Sequence, residues 1–194
     1  GGSQYEESFD IIQNTDGNYF IIGTTGSNEG DISFSHGYYD IWLLKLNSSG
    51  NLVWEKTFGG INGEEGFSIQ KTIDGGFVVV GQTSSIDGDF SSSGYGSTDG
   101  LLLKFNSSGD LSWYQKVGGN DYDHLYCVRQ TLDGGYVAVG ETRSNDSYAS
   151  GNHGVSTDYW FVKFNSSGLI TSSKCYGGFT SDEAWGIEQM SDGG

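Results

Sequence analysis

The sequence has no proline, only two cysteines and one methionine, and few positive charges among its 194 residues. The absence of proline excludes a proline-rich linker, and the 33 glycines indicate many tight turns instead. No apolar run approaches the ~20 residues that a membrane-spanning helix requires. The first residues, Gly1 to Gln4, do not have the composition of a signal peptide. With 35% apolar residues, the chain can still bury an ordinary core.

The shortage of positive charge limits the partners of this protein. Nine Lys and Arg residues against 25 Asp and Glu residues give a formal net charge of −16 and an isoelectric point near 4.2. The phosphates of a nucleic acid and an anionic membrane surface would repel such a chain. We therefore predict no nucleic-acid partner and no membrane insertion, and we expect cations or neutral glycans as compatible ligands.

An eight-residue motif organises the rest of the sequence. It reads Asp-Gly-Gly-Phe-Val-Val-Val-Gly from Asp74, and related versions begin at Asp16, Asp133 and Asp192, with spacings of 58, 59 and 59 residues along the chain. A nearly fixed period of this length is the signature of a repeat architecture. The predicted repeats cover residues 1–58, 59–117 and 118–176, and residues 177–194 form the start of a fourth repeat.

Each repeat is predicted to contain four short strands. The first alternates apolar and polar residues, an Asp-Gly hairpin turn follows, and the second is the motif itself. A long polar loop leads to a third strand that is apolar on both faces and should lie between two neighbouring sheets. The third strands are predicted at Asp40–Leu46, Asp99–Phe105 and Asp158–Phe164. An Asn-Ser-Ser-Gly turn precedes the fourth strand, which we expect to be weakest in the third repeat, where Ser172 replaces tryptophan.

The two cysteines, Cys127 and Cys175, both belong to the third repeat and have no counterparts in the others. Cys127 aligns with Asp10, Ser68 and Gly186, a position that mostly takes small residues. The sequence leaves two alternatives open, a packed free thiol or a disulfide between the two cysteines.

Four antiparallel strands per repeat, with neither sheet face left for water, predict an all-β array of the β-propeller type. It would contain three complete four-stranded blades plus the first strand of a fourth, and a β-sandwich of two repeats is the alternative. Three features of the sequence resemble the delta-60 type of tandem repeat, which occurs in secreted and surface proteins of bacteria and archaea. They are the motif from Asp74, the segment Trp-Leu-Leu-Lys-Leu-Asn-Ser-Ser-Gly-Asn-Leu-Val-Trp from Trp42, and the closing Gly-Gly pairs. The resemblance implies a propeller-like extracellular or cell-surface module, and it transfers no catalytic residues.

Three blades are too few to close a ring, and an open end would expose an apolar blade face and an unpaired strand edge to water. We therefore expect further repeats or copies of the same chain as partners. Head-to-tail addition would give a closed ring or a filament.

Acidic residues concentrate at the end of the sheets that carries the long loops. The segment Asp87-Gly88-Asp89 resembles the start of a calcium loop, because Ca²⁺ takes six to eight oxygen ligands. The alternative is that these acids are solvated and cap strands and turns. The hypothetical calcium ligands are Glu29, Asp31, Asp40, Asp87, Asp89 and Asp99.

Two further sets of residues suggest extracellular chemistry. Asparagines of Asn-x-Ser sequons predict glycosylation if the protein is exported, although Asn-Ser-Ser-Gly is also a good turn; these are Asn47, Asn106, Asn145 and Asn165. Tyrosines in or beside the long loops could stack on sugars or could simply fill the space between blades; the hypothetical stacking residues are Tyr38, Tyr39, Tyr95 and Tyr148.

No catalytic arrangement follows from the spacing of the titratable residues. His36, His124 and His153 do not share one repeat position, which argues against a metal triad or a Ser-His-Asp set. We therefore predict a non-enzymatic extracellular or cell-surface protein with a structural or adhesive function, part of a larger propeller or a filament. The alternative is a carbohydrate-binding module of a secreted multidomain protein.

Overall fold

The computed structural model describes residues 1–190. It contains twelve strands in three four-stranded antiparallel sheets, and the strand order within each sheet follows the order along the chain. Sheet 1 consists of β1 (Glu6–Gln13), β2 (Tyr19–Thr25), β3 (Asp40–Leu46) and β4 (Leu52–Phe58). Sheet 2 consists of β5 (Glu64–Lys71), β6 (Phe77–Thr83), β7 (Asp99–Phe105) and β8 (Leu111–Val117). Sheet 3 consists of β9 (Asp123–Gln130), β10 (Tyr136–Thr142), β11 (Asp158–Phe164) and β12 (Ile170–Tyr176).

The all-β class and the limits of the third strands confirm the sequence prediction. The tight turns also form as expected, because the glycine of each Asp-Gly and Asn-Ser-Ser-Gly turn adopts a positive φ, for example 81° at Gly75 and 78° at Gly109. The long loops between the second and third strands contain two short 3₁₀ helices, Gly88–Phe90 and Ser147–Ala149. The chain therefore reverses direction at the predicted places, with the tight turns at one end of the sheets and the long loops at the other.

The predicted first strand of a fourth repeat is not formed in the described residues. Residues 177–190 contain no assigned strand, although they lie against sheet 3, where the Ala184 N–H donates to the Gly140 carbonyl at 3.2 Å. Each first strand pairs with the second strand of its own sheet, and residues 1–190 supply no such partner for this segment. The Asp-Gly-Gly motif that begins at Asp192 lies outside the described residues.

Each first strand contains a β-bulge at its aromatic residue, which the predicted alternation did not anticipate. In sheet 2 the pairing of β5 with β6 skips Phe67. The bulge brings the Glu65 carbonyl so close to Gly81 that a β-carbon there would overlap it. This close approach explains the glycine that ends the Val-Val-Val-Gly motif. The first strands of sheets 1 and 3 skip Phe9 and Tyr126 in the same way.

The bulged aromatic residues form a column that links the first strands. The ring centroids of Phe9 and Phe67 lie 5.1 Å apart, those of Phe67 and Tyr126 lie 5.2 Å apart, and Trp185 stacks on Tyr126 at 4.1 Å. Accordingly, β5 contacts both β1 and β9. The sheets therefore pack with their first strands side by side, and residues 177–190 continue that row.

Two apolar clusters hold the three sheets together face to face. The cluster between sheets 1 and 2 includes Leu43 and Leu103, and the cluster between sheets 2 and 3 includes Leu102 and Trp160. All seven residues of β7 are buried, as predicted for a third strand between two sheets. The third strands of the outer sheets are partly exposed, because each of these sheets has a neighbouring sheet on one side only.

The last strand of sheet 3 is the least protected of the fourth strands. No residue of β12 is buried, whereas β8 ends in the buried pair Lys116 and Val117. Both cysteines are free thiols, and Cys127 is buried against the outer segment, which agrees with the packed-thiol alternative.

We expect Leu102→Ala to lower the free energy of unfolding by about 2–5 kcal/mol, because Leu102 is fully buried between sheets 2 and 3 and its truncation leaves a cavity. Chemical denaturation followed by tryptophan fluorescence would measure this loss. The control is Leu132→Ala in an exposed turn, which should change the free energy by less than about 0.5 kcal/mol. Equal effects of the two substitutions would contradict the packing described here.

Candidate functional site

Carboxylates meet in pairs at the long-loop end of the molecule, where one sheet ends and the next begins. We call each meeting point a junction. It contains the aspartate that opens a third strand, the first glycine of a Gly-Gly step, and the acid that opens the following repeat. Junction 1 contains Asp40, Gly59 and Glu64; junction 2 contains Asp99, Gly118 and Asp123; junction 3 contains Asp158, Gly177 and Asp182.

The glycine is required because both carboxylates lie against it. A β-carbon on Gly118 would stand 2.8 Å from Asp99 Oδ1 and 2.7 Å from Asp123 Oδ2. A β-carbon on the first glycine of junctions 1 and 3 would meet the corresponding two oxygens as closely. At every junction the two facing carboxylate oxygens therefore lie within about 5.5 Å of each other.

The acid that opens a first strand accepts hydrogen bonds from the protein on both of its oxygens. Glu64 Oε2 accepts from the Gly60 N–H at 2.8 Å, and Glu64 Oε1 accepts from the Thr83 hydroxyl at 2.8 Å. Asp123 is held equivalently by the Gly119 N–H and by Thr142. These bonds fix the Gly-Gly step to the start of the strand.

The aspartate that opens a third strand accepts a hydrogen bond from the long loop that precedes it. The donors are the backbone N–H groups of His36 to Asp40 (2.6 Å), Tyr95 to Asp99 (3.0 Å to Oδ2) and His153 to Asp158 (2.9 Å). His36 and His153 thus donate from corresponding places in the first and third long loops, whereas His124 lies in β9, as the sequence indicates. The third loop has one residue more between its histidine and its aspartate.

Burial raises the pKa of the four acids of junctions 1 and 2. It raises the pKa of Asp40, Glu64 and Asp123, and it raises the pKa of Asp99 to about 6 against the opposing effects of the Tyr95 N–H and the Lys116 charge. The ionised carboxylate loses hydration when it is buried, and a second carboxylate close by adds repulsion. The junctions therefore concentrate negative charge in a poorly solvated place.

The hypothetical calcium ligands do not surround one point, and within residues 1–190 no group of three or more His, Cys, Asp or Glu side chains could hold a metal ion. Glu29 accepts from the Ser3 N–H, and Asp31 pairs with the N-terminal ammonium at 2.6 Å. Asp87 accepts from the Ile61 N–H, and Asp89 accepts from the Gly59 N–H. The Asp87–Asp89 segment begins a 3₁₀ helix, and its acids stabilise the backbone of the Gly-Gly step. Calcium binding by these six residues remains a prediction.

The sequon asparagines of the tight turns have a structural role. The Oδ1 atoms of Asn47, Asn106 and Asn165 each accept two backbone N–H groups of their own turn. Asn145 lies in the third long loop, and its Oδ1 accepts from the Gly151 N–H. Glycosylation at these four asparagines remains a prediction.

The four hypothetical stacking tyrosines form two pairs and do not build one site. Tyr38 and Tyr39 meet edge to face at 4.8 Å, and Tyr95 meets Tyr148 at 5.5 Å. Tyr38, Tyr39 and Tyr95 line three different depressions.

A cleft beside β5, the first strand of sheet 2, combines aromatic and polar groups. Nothing in the sequence indicated this cleft. Its volume is about 250 Å³, and Tyr39 and Tyr122 are its aromatic residues. The floor includes Glu65 and Gln82, joined by a 2.8 Å hydrogen bond, and His124. Tyr122 lies three residues beyond a Gly-Gly step, and only its position next to the acids that open a first strand could have drawn attention to it.

The third-strand lysines of sheets 2 and 3 pair with the aspartates of the Asp-Gly turns, whereas Lys45 of sheet 1 lies 5.3 Å from the centroid of the Phe20 ring. Lys104 Nζ lies 2.9 Å from Asp74, and Lys163 Nζ lies 3.0 Å from Asp133. Burial raises the pKa of Asp74, but hydrogen bonds from Thr72 and Lys104 outweigh it and lower the pKa to about 2. These pairs stabilise the turns and leave no free amine for catalysis at Lys104 or Lys163.

Comparisons with known proteins give limited information. No family model matches the sequence. Over 115 residues, 56% of the chain, the sequence is 24% identical to the regulatory protein FlaEY of Caulobacter vibrioides, and the chain spans 12% of that protein's length. An apocarotenoid oxygenase variant from Synechocystis aligns with 90% of this chain and 40% of its own, at a TM-score of 0.46 and 10% identity, which carries no argument about fold or function. Within residues 1–190, no helix is long and apolar enough to cross a membrane.

We expect Asp99→Asn to stabilise the protein at about pH 7.5 by about 1–3 kcal/mol and to have little effect at about pH 4. Burial raises the pKa of Asp99 above that of an unfolded aspartate, so the folded state gains a proton first and loses stability as the pH rises from about 4 to about 6. Urea denaturation across this pH range would measure the difference. Asp121→Asn, at an exposed acid of the same end, should leave the pH profile unchanged.

Proposed function

We propose that this chain is a non-enzymatic structural or adhesive repeat module that assembles through its sheet faces into a larger array. The observation that carries the proposal is the open apolar face of sheet 1. This face bears Ile11, Tyr19, Ile21, Leu44 and Leu46, and Ile11 is 54% exposed. In sheet 2 the equivalent positions are Ile69, Phe77, Val79, Leu103 and Phe105, all buried against sheet 1.

The partner that fits the open face is another sheet of the same repeat. Sheet 1 already presents Phe20, Ile22 and Leu43 to sheet 2, so the repeat carries a complementary face on its opposite side. At the far end of the molecule, the outer face of sheet 3 corresponds to the face that sheet 1 presents to sheet 2. Ala184 and Ile187 cover part of this outer face. A sheet from a second copy, or from further repeats, would cover the open face of sheet 1. Sheet 1 itself covers the corresponding face of sheet 2 in the same way.

A propeller-type ring or a filament is the arrangement that we propose for the larger array. The side-by-side first strands and their aromatic column are what the inner strands of blades around an axis would produce. The resemblance to secreted repeats supports an extracellular or cell-surface location, where an acidic, proline-free surface protein would act as scaffold or adhesin.

We expect the wild-type chain to form larger species as its concentration rises, and the double variant Ile21→Lys/Leu44→Lys to stay monomeric in sedimentation velocity. Two charged side chains on the open face would resist burial against a second sheet. Ile73→Lys/Leu132→Lys, at two turn residues that are 87% and 77% exposed, is the matched control and should assemble like the wild type. A wild-type chain that stays monomeric at all concentrations, or a control that fails to assemble, would count against the proposal.

A second candidate function, glycan binding, is favoured by the cleft of Tyr39 and Tyr122. Aromatic rings beside carboxylate, amide and imidazole groups suit a sugar, because the rings cover its apolar face while Glu65, Gln82 and His124 can bond its hydroxyls. This alternative would make the chain a carbohydrate-binding module.

If the cleft binds glycans, Tyr122→Ala should weaken binding to a glycan array or to an immobilised polysaccharide by at least about tenfold, through loss of ring contact and buried area. Tyr159→Ala removes a tyrosine that is 45% exposed and lies outside the cleft, and it should leave binding unchanged. The absence of any wild-type binding, or equal losses in both variants, would exclude the cleft.

A further inference from the structure

Among residues 1–190, two fully buried carboxylate oxygens lack any hydrogen-bond donor, and both belong to junctions. They are Asp40 Oδ1 in junction 1 and Asp158 Oδ1 in junction 3. Both side chains are 0% exposed. Each Oδ1 lies against the junction glycine, and an oxygen of the second carboxylate, Glu64 Oε2 or Asp182 Oδ2, lies against the same glycine. An unpaired buried carboxylate oxygen is costly, and a facing carboxylate increases the cost.

The histidines beside these aspartates do not serve the unpaired oxygens. His36 Nδ1 lies 3.4 Å from Asp40 Oδ2, and His153 Nδ1 lies 2.6 Å from Asp158 Oδ2. The backbone N–H groups of the two histidines donate to the same Oδ2 atoms. The Oδ1 atoms would therefore lack a donor whether the imidazoles are neutral or protonated.

Junction 2 differs from the other two because its aspartate has both a hydrogen-bond donor on Oδ1 and a positive charge nearby. Asp99 Oδ1 accepts from the Tyr95 N–H at 3.2 Å, so it has a donor. The buried ammonium of Lys116, bonded to the Ser85 and Ser92 carbonyls, lowers the pKa of Asp99 and acts more weakly on Glu64 of junction 1. The positions equivalent to Lys116 in sheets 1 and 3 are the neutral residues Thr57 and Cys175.

We propose that junctions 1 and 3 each bind one hard cation between their two carboxylates, Asp40 with Glu64 and Asp158 with Asp182, and that Lys116 supplies the positive charge at junction 2. The ligand class follows from the donors, which are carboxylate oxygens and which hard cations such as Ca²⁺ prefer. Two carboxylates supply fewer than the six to eight oxygens that Ca²⁺ takes. Such a site is weak and would respond to extracellular, millimolar Ca²⁺.

The bound cation would join neighbouring repeats. Asp40 belongs to sheet 1 and Glu64 to sheet 2, while Asp158 belongs to sheet 3 and Asp182 to the segment that follows it. The inference does not depend on assembly between chains, since junction 1 lies wholly inside one chain. Cation binding would therefore strengthen the contact between sheets 1 and 2 directly.

The test is urea denaturation of the whole chain at about pH 8, with CaCl₂ from zero to about 20 mM and NaCl adjusted to constant ionic strength. The slope of the unfolding free energy against the logarithm of Ca²⁺ concentration gives the number of ions bound. We expect two ions for the wild type, one each for Asp40→Asn and Asp158→Asn, and two for Asp99→Asn. The three variants change the net charge equally, so non-specific attraction of Ca²⁺ to this acidic chain affects them alike.

A second pair of variants keeps the test informative if an asparagine variant does not fold. Thr57→Lys and Cys175→Lys place at sheets 1 and 3 the ammonium that Lys116 provides in sheet 2, and each should remove one ion from the count and raise stability without Ca²⁺. The proposal is overturned if the wild type shows no Ca²⁺ response beyond that of NaCl. It is also overturned if Asp99→Asn loses as much response as Asp40→Asn and Asp158→Asn, or if only a fall in pH stabilises the wild type, since protons would then neutralise the pairs.

Discussion

The burial of each sheet against its neighbour is the interaction on which the rest of the structure depends. The strands are seven or eight residues long, and in sheet 2 both faces are apolar, so this sheet cannot be stable in water unless a sheet lies on each side. Sheets 1 and 3 provide those two sides. The same requirement applies to sheet 1, whose outer face carries the same kind of residues and faces solvent.

This packing also forces acids together at the long-loop end. The third strand of one sheet and the first strand of the next both begin with an acid, and the first strands lie side by side. Hydrophobic burial therefore brings two carboxylates to the same glycine, and desolvation raises the pKa of Asp40, Glu64, Asp99 and Asp123. At junction 2, the Lys116 ammonium and the Tyr95 N–H stabilise the charge of Asp99. At junctions 1 and 3, one aspartate oxygen has no hydrogen-bond donor.

Much of the fold could be predicted, because strands and turns depend on local chemistry. The apolar third strands and the positive-φ glycines of the turns both follow from residue type and spacing. The bulge at Phe67 could not be predicted in this way, since two-residue periodicity gives no sign of an extra residue. The calcium hypothesis grouped acids such as Asp87 and Asp99 by closeness in sequence, whereas the structure assigns them to the backbones of different loops.

The sequence by itself determined the repeat, the strands, the turns and the excess of negative charge, because these depend on neighbours a few residues apart or on composition alone. Only the tertiary structure decided which acids face each other, that His36 and His153 donate to corresponding aspartates, and that Tyr39 and Tyr122 share a cleft. Those relations join residues of different sheets, and they depend on how the sheets pack. The packing angle and register between sheets arise from the sum of many weak apolar contacts, for which no short sequence motif exists.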